Sequence, residues 1–170
     1  MTGQDKRLKV LESKLRDKDA GKVLETIETL RSEVPCNGAV KILADLYNSS
    51  GNPVVRKKIQ DFLNDLKETA LRQEVIDEIR RDHKKETIRM LVSSCWQSGL
   101  DYSDYASDFA MVFNAGDYET AIECFTVIEG CASHINRKTK DHIIILLKES
   151  LESVLSEKQA LTGELVSVLS

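Results

Sequence analysis

Cys124, Cys131 and His134 are the residues in this chain that come nearest to a metal-ligand set. Thiolates and an imidazole are what zinc takes, but its ligands must converge within ~4 Å of one another. Cys124 and Cys131 lie seven residues apart in a segment that reads as helix, and seven residues of helix rise about 10 Å. Only a break at Gly130 would bring them together, so they read as small buried side chains. No metal and no other cofactor is expected. Nucleophilic chemistry fares no better: no local motif around Cys36, Cys95, Cys124 or Cys131 fixes a thiol to His83, His134 or His142. A P-loop and a Gly-rich dinucleotide fingerprint are both missing. No catalytic residue is assigned, and the chain is expected not to be an enzyme.

Binding chemistry has a clearer candidate in Trp96, Asp101, Tyr102, Asp104, Tyr105 and Asp108, followed by Phe109. Between Arg89 and Arg137 the chain has no Lys or Arg, while seven acids and seven of its nine aromatic residues fall in that interval. Clustered carboxylates beside amphipathic rings suit a protein or a basic, arginine-rich peptide. Asp104 and Asp108 are four apart and would share a helix face, repelling each other unless a cation relieves them. On this reading Tyr102 is exposed next to them. Trp96, Tyr105 and Phe109 also lie on apolar stripes, and the competing reading makes them core residues with the aspartates as helix caps.

The elements that would carry these residues repeat. Residues 21–33, 53–66, 86–98 and 117–129 each read as an amphipathic helix, their starts separated by 31–33 residues. Their apolar positions are Leu24, Ile27, Leu30; Val55, Ile59, Phe62, Leu66; Ile88, Leu91, Val92, Cys95; and Ala121, Ile122, Phe125, Ile128. A second series begins near Asn37, Thr69, Ser103 and Arg137, with spacings of 32–34 residues. The spacing predicts helix pairs over 19–50, 53–83, 86–114 and 117–156, with capping helices at 4–16 and 160–169. Ser50-Gly51-Asn52-Pro53 and Asn114-Ala115-Gly116-Asp117 punctuate the series as helix stops and starts, and Ser103 is an expected N-cap.

Paired helices at this period resemble HEAT and armadillo repeats. Asn52-Pro53-Val54-Val55-Arg56, followed by Ile59 and Leu63, is similar to the start of many HEAT helices. The stretch from Ser94 to Tyr102 is similar to a segment of small bacterial HEAT-like proteins without assigned function. The resemblance covers roughly residues 19–156 and implies an all-α fold: a short right-handed α-solenoid of about four antiparallel helix pairs. It further implies a protein-interaction scaffold with a concave face. Tetratricopeptide repeats have a similar period, but their Trp-x-x-Leu-Gly-x-x-Tyr pattern is missing.

Some HEAT-like solenoids also resemble DNA glycosylases, so the alternative is a solenoid-groove enzyme directed at nucleic acid. That reading needs a cationic groove. The basic runs are Arg56-Lys57-Lys58, Arg80-Arg81 with His83-Lys84-Lys85, and Arg137-Lys138 with Lys140, all of which suit solvated helix faces. With net charge −4 and one Trp, a nucleic-acid partner is not expected. The charge is divided: residues 1–85 balance at +3 and residues 86–170 at −7. No apolar run approaches the length of a membrane span, and the polar first residues carry no signal-peptide pattern. A soluble, cytoplasmic monomer or weak dimer with free thiols is expected.

Overall fold

The computed structural model describes residues 2–33, 35–153 and 156–170, and every regular element among them is helical. In order these are α1 (Gly3–Leu15), α2 (Ala20–Ser32), α3 (Ala39–Ser49), α4 (Pro53–Asn64) and α5 (Arg72–Ile79). They are followed by α6 (Lys85–Gln97), α7 (Ala106–Ala115), α8 (Tyr118–Cys131), α9 (Arg137–Ser150) and α10 (Ser156–Leu169). Val34 in the first expected pair, and Val154 and Leu155 in the fourth, lie outside the described residues. No described helix is long and apolar enough to cross a membrane.

Side-chain caps set most of the starts. Asp19 accepts from the N–H of Gly21, Asp117 from that of Thr120, and Asn136 from that of Thr139. Asn52 accepts from Val54 and Val55, with Pro53 in the first helical position, where a missing N–H costs nothing. Ser103 is not the cap expected of it. It opens a 3₁₀ turn, Ser103–Tyr105, and its own N–H is taken by Asp101 at 2.9 Å. Gly116 has an extended backbone, and its lack of a side chain matters for space. A Cβ there would sit 2.9 Å from the carbonyl of Val112, so glycine lets α7 turn directly into α8.

The packing has two series. α2, α4, α6, α8 and α10 each lie against the next; in the other series α1 packs on α3, α3 on α5, and α7 on α9. Between consecutive helices the close joints are α1 with α2, α3 with α4, α5 with α6, α7 with α8 and α9 with α10. That phase is one helix away from the grouping the punctuation suggested. α10 is correspondingly well packed, with Leu165 and Leu169 fully buried against the core. Its Lys158 is only 5% exposed and donates to the carbonyls of Phe113, Asn114 and Gly116 at 2.7, 3.1 and 2.8 Å. A cation thus closes the C-terminal end of α7, where the unpaired carbonyls and the helix dipole favour positive charge.

Most expected stripes are core: Ile27, Leu30, Val40, Leu43, Ile59, Phe62, Val75, Leu91, Phe109, Phe113, Ile143 and Leu147 are all buried. α8 differs. Its buried side is Thr120, Ala121, Cys124, Val127, Ile128 and Cys131. Ile122 is 39% exposed and Phe125 only half-buried, so the expected stripe is correct at Ala121 and Ile128 and rotated at the other two.

Candidate functional site

The acidic-aromatic segment spans the end of α6, the following loop and the start of α7, and the structure divides its members. Trp96 lies on the last turn of α6, is 44% exposed, and donates its indole N–H to Glu123 on α8 at 2.6 Å. Tyr102 is buried, not exposed as the binding reading required. Its ring meets Phe109 edge-on at 6.0 Å and Tyr105 at 6.1 Å. The loop turns it inward, and the 3₁₀ turn that follows sets residue 102 against Phe109 of α7, where an aromatic ring fills the space. Burial pushes its phenol above the ordinary value. Tyr105 is half-buried, with the Arg72 guanidinium 6.0 Å above its ring.

The carboxylates are not left without cations. Arg80 on the turn after α5 grips Asp108 with two bonds, 2.7 Å from Nε and 3.0 Å from Nη2. Asp101 accepts from Ser103, which lowers its pKa, and it pairs with His134 Nδ1 at 3.2 Å. Arg72 donates to the carbonyl of Asp101, and Lys67 to that of Ser98 at 2.6 Å. Lys67, Arg72 and Arg80 come from 28–31 residues upstream of the groups they contact, about one repeat away. Asp104 alone among the three aspartates is exposed with no ion pair among the described residues. The repulsion expected between Asp104 and Asp108 is therefore relieved by Arg80 from the turn after α5.

Metal and thiol chemistry can be placed as well. Cys124 and Cys131 are buried, and His134 is engaged with Asp101. All four cysteines are free and buried. Burial raises the thiols of Cys95 and Cys124 and pushes Cys131 up to about 11, the opposite of nucleophile activation. Among the described residues one group of three, Asp45, Glu78 and His83, brings ligand atoms within 4.8 Å of one another. Arg81 Nη1 already bridges Asp45 and Glu78 at 2.9 and 2.7 Å, and His83 Nε2 lies 2.8 Å from the same Glu78 oxygen. The buried carboxylate thus has its counter-charge.

A different surface emerges from the α4–α6–α8 series. On α8, Tyr118 and Ile122 are 38% and 39% exposed at i, i+4, next to Phe125, which packs partly against the core. Trp96 on α6 meets the same helix through Glu123. Adjacent to this, an open groove of about 510 Å³ runs between α4 and α6 to Glu123, lined by Arg56, Gln60, Met90 and Ser93. Arg56 stacks on Tyr47, 4.3 Å from the ring centroid. The sequence carried a trace of this surface: α8 has apolar residues on nearly every side, more than one buried stripe requires. Compared with known proteins, the chain matches no family model, no curated protein and no solved structure.

Proposed function

We propose that the chain is a non-enzymatic protein-binding scaffold, a short HEAT-like stack of helix pairs whose α6–α8 face receives a partner. The stack is supported by the two packing series and by polar contacts that recur about one unit apart. Asn64 donates to Gln97 at 3.1 Å across 33 residues, Thr87 to Asn48 at 2.8 Å across 39, and Ser150 to Asn114 at 2.9 Å across 36. The binding role rests on one observation: Trp96 at the end of α6 and Tyr118 and Ile122 on the neighbouring α8 are large apolar side chains left 44%, 38% and 39% exposed. Covering a side chain of that kind contributes about 1.5–3 kcal/mol, and aromatic anchors of this type dominate interfaces. Free thiols fit a reducing compartment such as the cytoplasm, and the small surface fits a monomer or weak dimer that meets a protein.

Nucleic acid gains less support from the same face. Lys57, Lys58, Arg31 and Arg89 are engaged by Asp61, Glu28, Asp65 and Glu119, so the groove has little free positive charge for phosphates.

Affinity capture with wild type, Ile122→Glu and Met111→Glu tests the reading, with each variant first checked for helix content. Met111 on α7 is 55% exposed and serves as the control on another face. The expected result is a set of proteins lost with Ile122→Glu and kept with Met111→Glu. Capture of the same proteins by all three forms would rule this face out.

A further inference from the structure

Arg56 stands apart from the other cations of the α4–α6 groove. Lys57 is held by Asp61 and Arg89 by Glu119, but Arg56 has no hydrogen bond or ion pair from its side chain among the described residues. Its Nε is buried without a partner, and its one contact of note is the face of Tyr47. Stacking on a ring fixes the guanidinium plane while leaving its in-plane donors free, the arrangement suited to two parallel bonds with a planar anion. The groove also contains Met90 and Ser93, which precede Trp96 by six and three residues on the same helix, roughly 5–9 Å of rise. Arg56 on α4 thus faces a groove shared with Met90 and Ser93, and the exposed Trp96 lies one to two turns farther along the same α6.

We infer that Arg56 selects the partner, and that the docked segment carries a carboxylate seated on Arg56 and an apolar side chain seated at Trp96. This rests on the docking role proposed for that face. A carboxylate is favoured over a nucleic-acid phosphate because Glu86 and Glu123 also line the groove. They would repel a backbone bearing a charge at every nucleotide, whereas a single side chain avoids them. The acidic partner reverses the basic one that composition suggested, because Asp101 and Asp108 are engaged by His134 and Arg80 while Arg56 is left without a counter-charge among the described residues.

Selection of a random peptide library on the full chain tests this, in parallel on wild type, Arg56→Gln, Trp96→Ala and Ile122→Glu. Wild type is expected to enrich peptides that combine an Asp or Glu with an aromatic or aliphatic residue at a fixed spacing. Arg56→Gln should lose the acidic preference and keep the apolar one. With the best peptide, anisotropy should show binding about tenfold weaker for Arg56→Gln. Wild-type peptides with no acidic preference, or an acidic preference that survives Arg56→Gln, would overturn the role of Arg56 and leave the docking face standing. Absence of enrichment, or binding indifferent to Trp96→Ala and Ile122→Glu, would sink both. A labelled oligothymidylate is the remaining probe: tight binding abolished by Arg56→Gln would make the groove a phosphate site and defeat the inference. Circular dichroism of each variant separates these outcomes from misfolding, since none of the three side chains is fully buried.

Discussion

Trp96 and Tyr102 are six residues apart and meet opposite environments, and truncation should distinguish them. Tyr102 is 2% exposed and shares its site with Phe109. Tyr102→Ala is expected to cost about 3–5 kcal/mol in urea unfolding, as for other large core aromatics. Trp96→Ala, on a half-open surface, should cost less than about 1.5 kcal/mol; a larger loss would mean the indole is structural. Phe125→Ala falls between, at about 2–3 kcal/mol, because the ring packs against the core but is not fully enclosed. These residues also mark what the sequence could tell at this scale. The aromatic and acidic content of the 96–109 segment was plain, but helical periodicity cannot orient a ring in a loop, which is where Tyr102 lies. The cation that neutralises Asp108 was invisible for a related reason. Arg80 comes from the turn after α5, and a count made along the interval between Arg89 and Arg137 cannot include it.

At the scale of the elements, α10 is held by a charge as well as by its apolar side. Lys158→Met keeps the alkyl stem and removes the ammonium from three carbonyls at the end of α7. The expected loss is about 2–4 kcal/mol, since those acceptors are left unpaired near the core. A change within about 0.5 kcal/mol would show that water replaces the ammonium. α8 depends on its cap in a pH-dependent way. Bonds from the Thr120 side chain and backbone N–H lower the pKa of Asp117 below the ordinary carboxylate value, so the folded state releases the proton more readily than the unfolded chain. The cap's contribution is therefore complete above about pH 4 and is lost as pH falls through the lowered value. Wild type should exceed Asp117→Ala by about 1 kcal/mol at pH 7 and converge with it in acid. A gap that persists at low pH would assign the effect to geometry instead of charge. Helix starts were legible because caps and prolines are local chemistry: Asn52-Pro53 and Gly116-Asp117 fall where the helices begin. The phase of pairing was not, because helices on either side of a turn look equally amphipathic whichever neighbour they face.

The whole molecule is a sequence of short-range joints, and its stability should be graded along the chain. Each helix of the α2–α4–α6–α8–α10 series touches the next, polar contacts such as Asn64–Gln97, Thr87–Asn48 and Ser150–Asn114 span 33–39 residues, and among the described residues no extensive helix contact joins α1 to α10. In such an arrangement stability is approximately the sum of unit and neighbour terms, and ends open before the middle. The middle is also the most densely buried part: seven residues of α6 and six of α8 are buried, while α1 buries only Leu11 and Leu15. Beside these, α1 is held by partly buried Leu8, by its capping box and by an ion pair from Arg7 to Glu33 at 2.9 Å. Native-state hydrogen exchange should accordingly rank the amides of α1 fastest and those of α6 and α8 slowest, with α10 above α1 because Lys158 locks it. Adding urea below the main transition should release α1 first without loosening α6. Equal protection in α1 and α6, converging on one opening energy, would show a single all-or-none core and count against a stack of semi-independent units. A gradient with its maximum at α6–α8 would have a functional side too, since the helices presenting Trp96, Tyr118 and Ile122 would then be the most rigid, and a preorganised face gives up the least entropy when a partner docks.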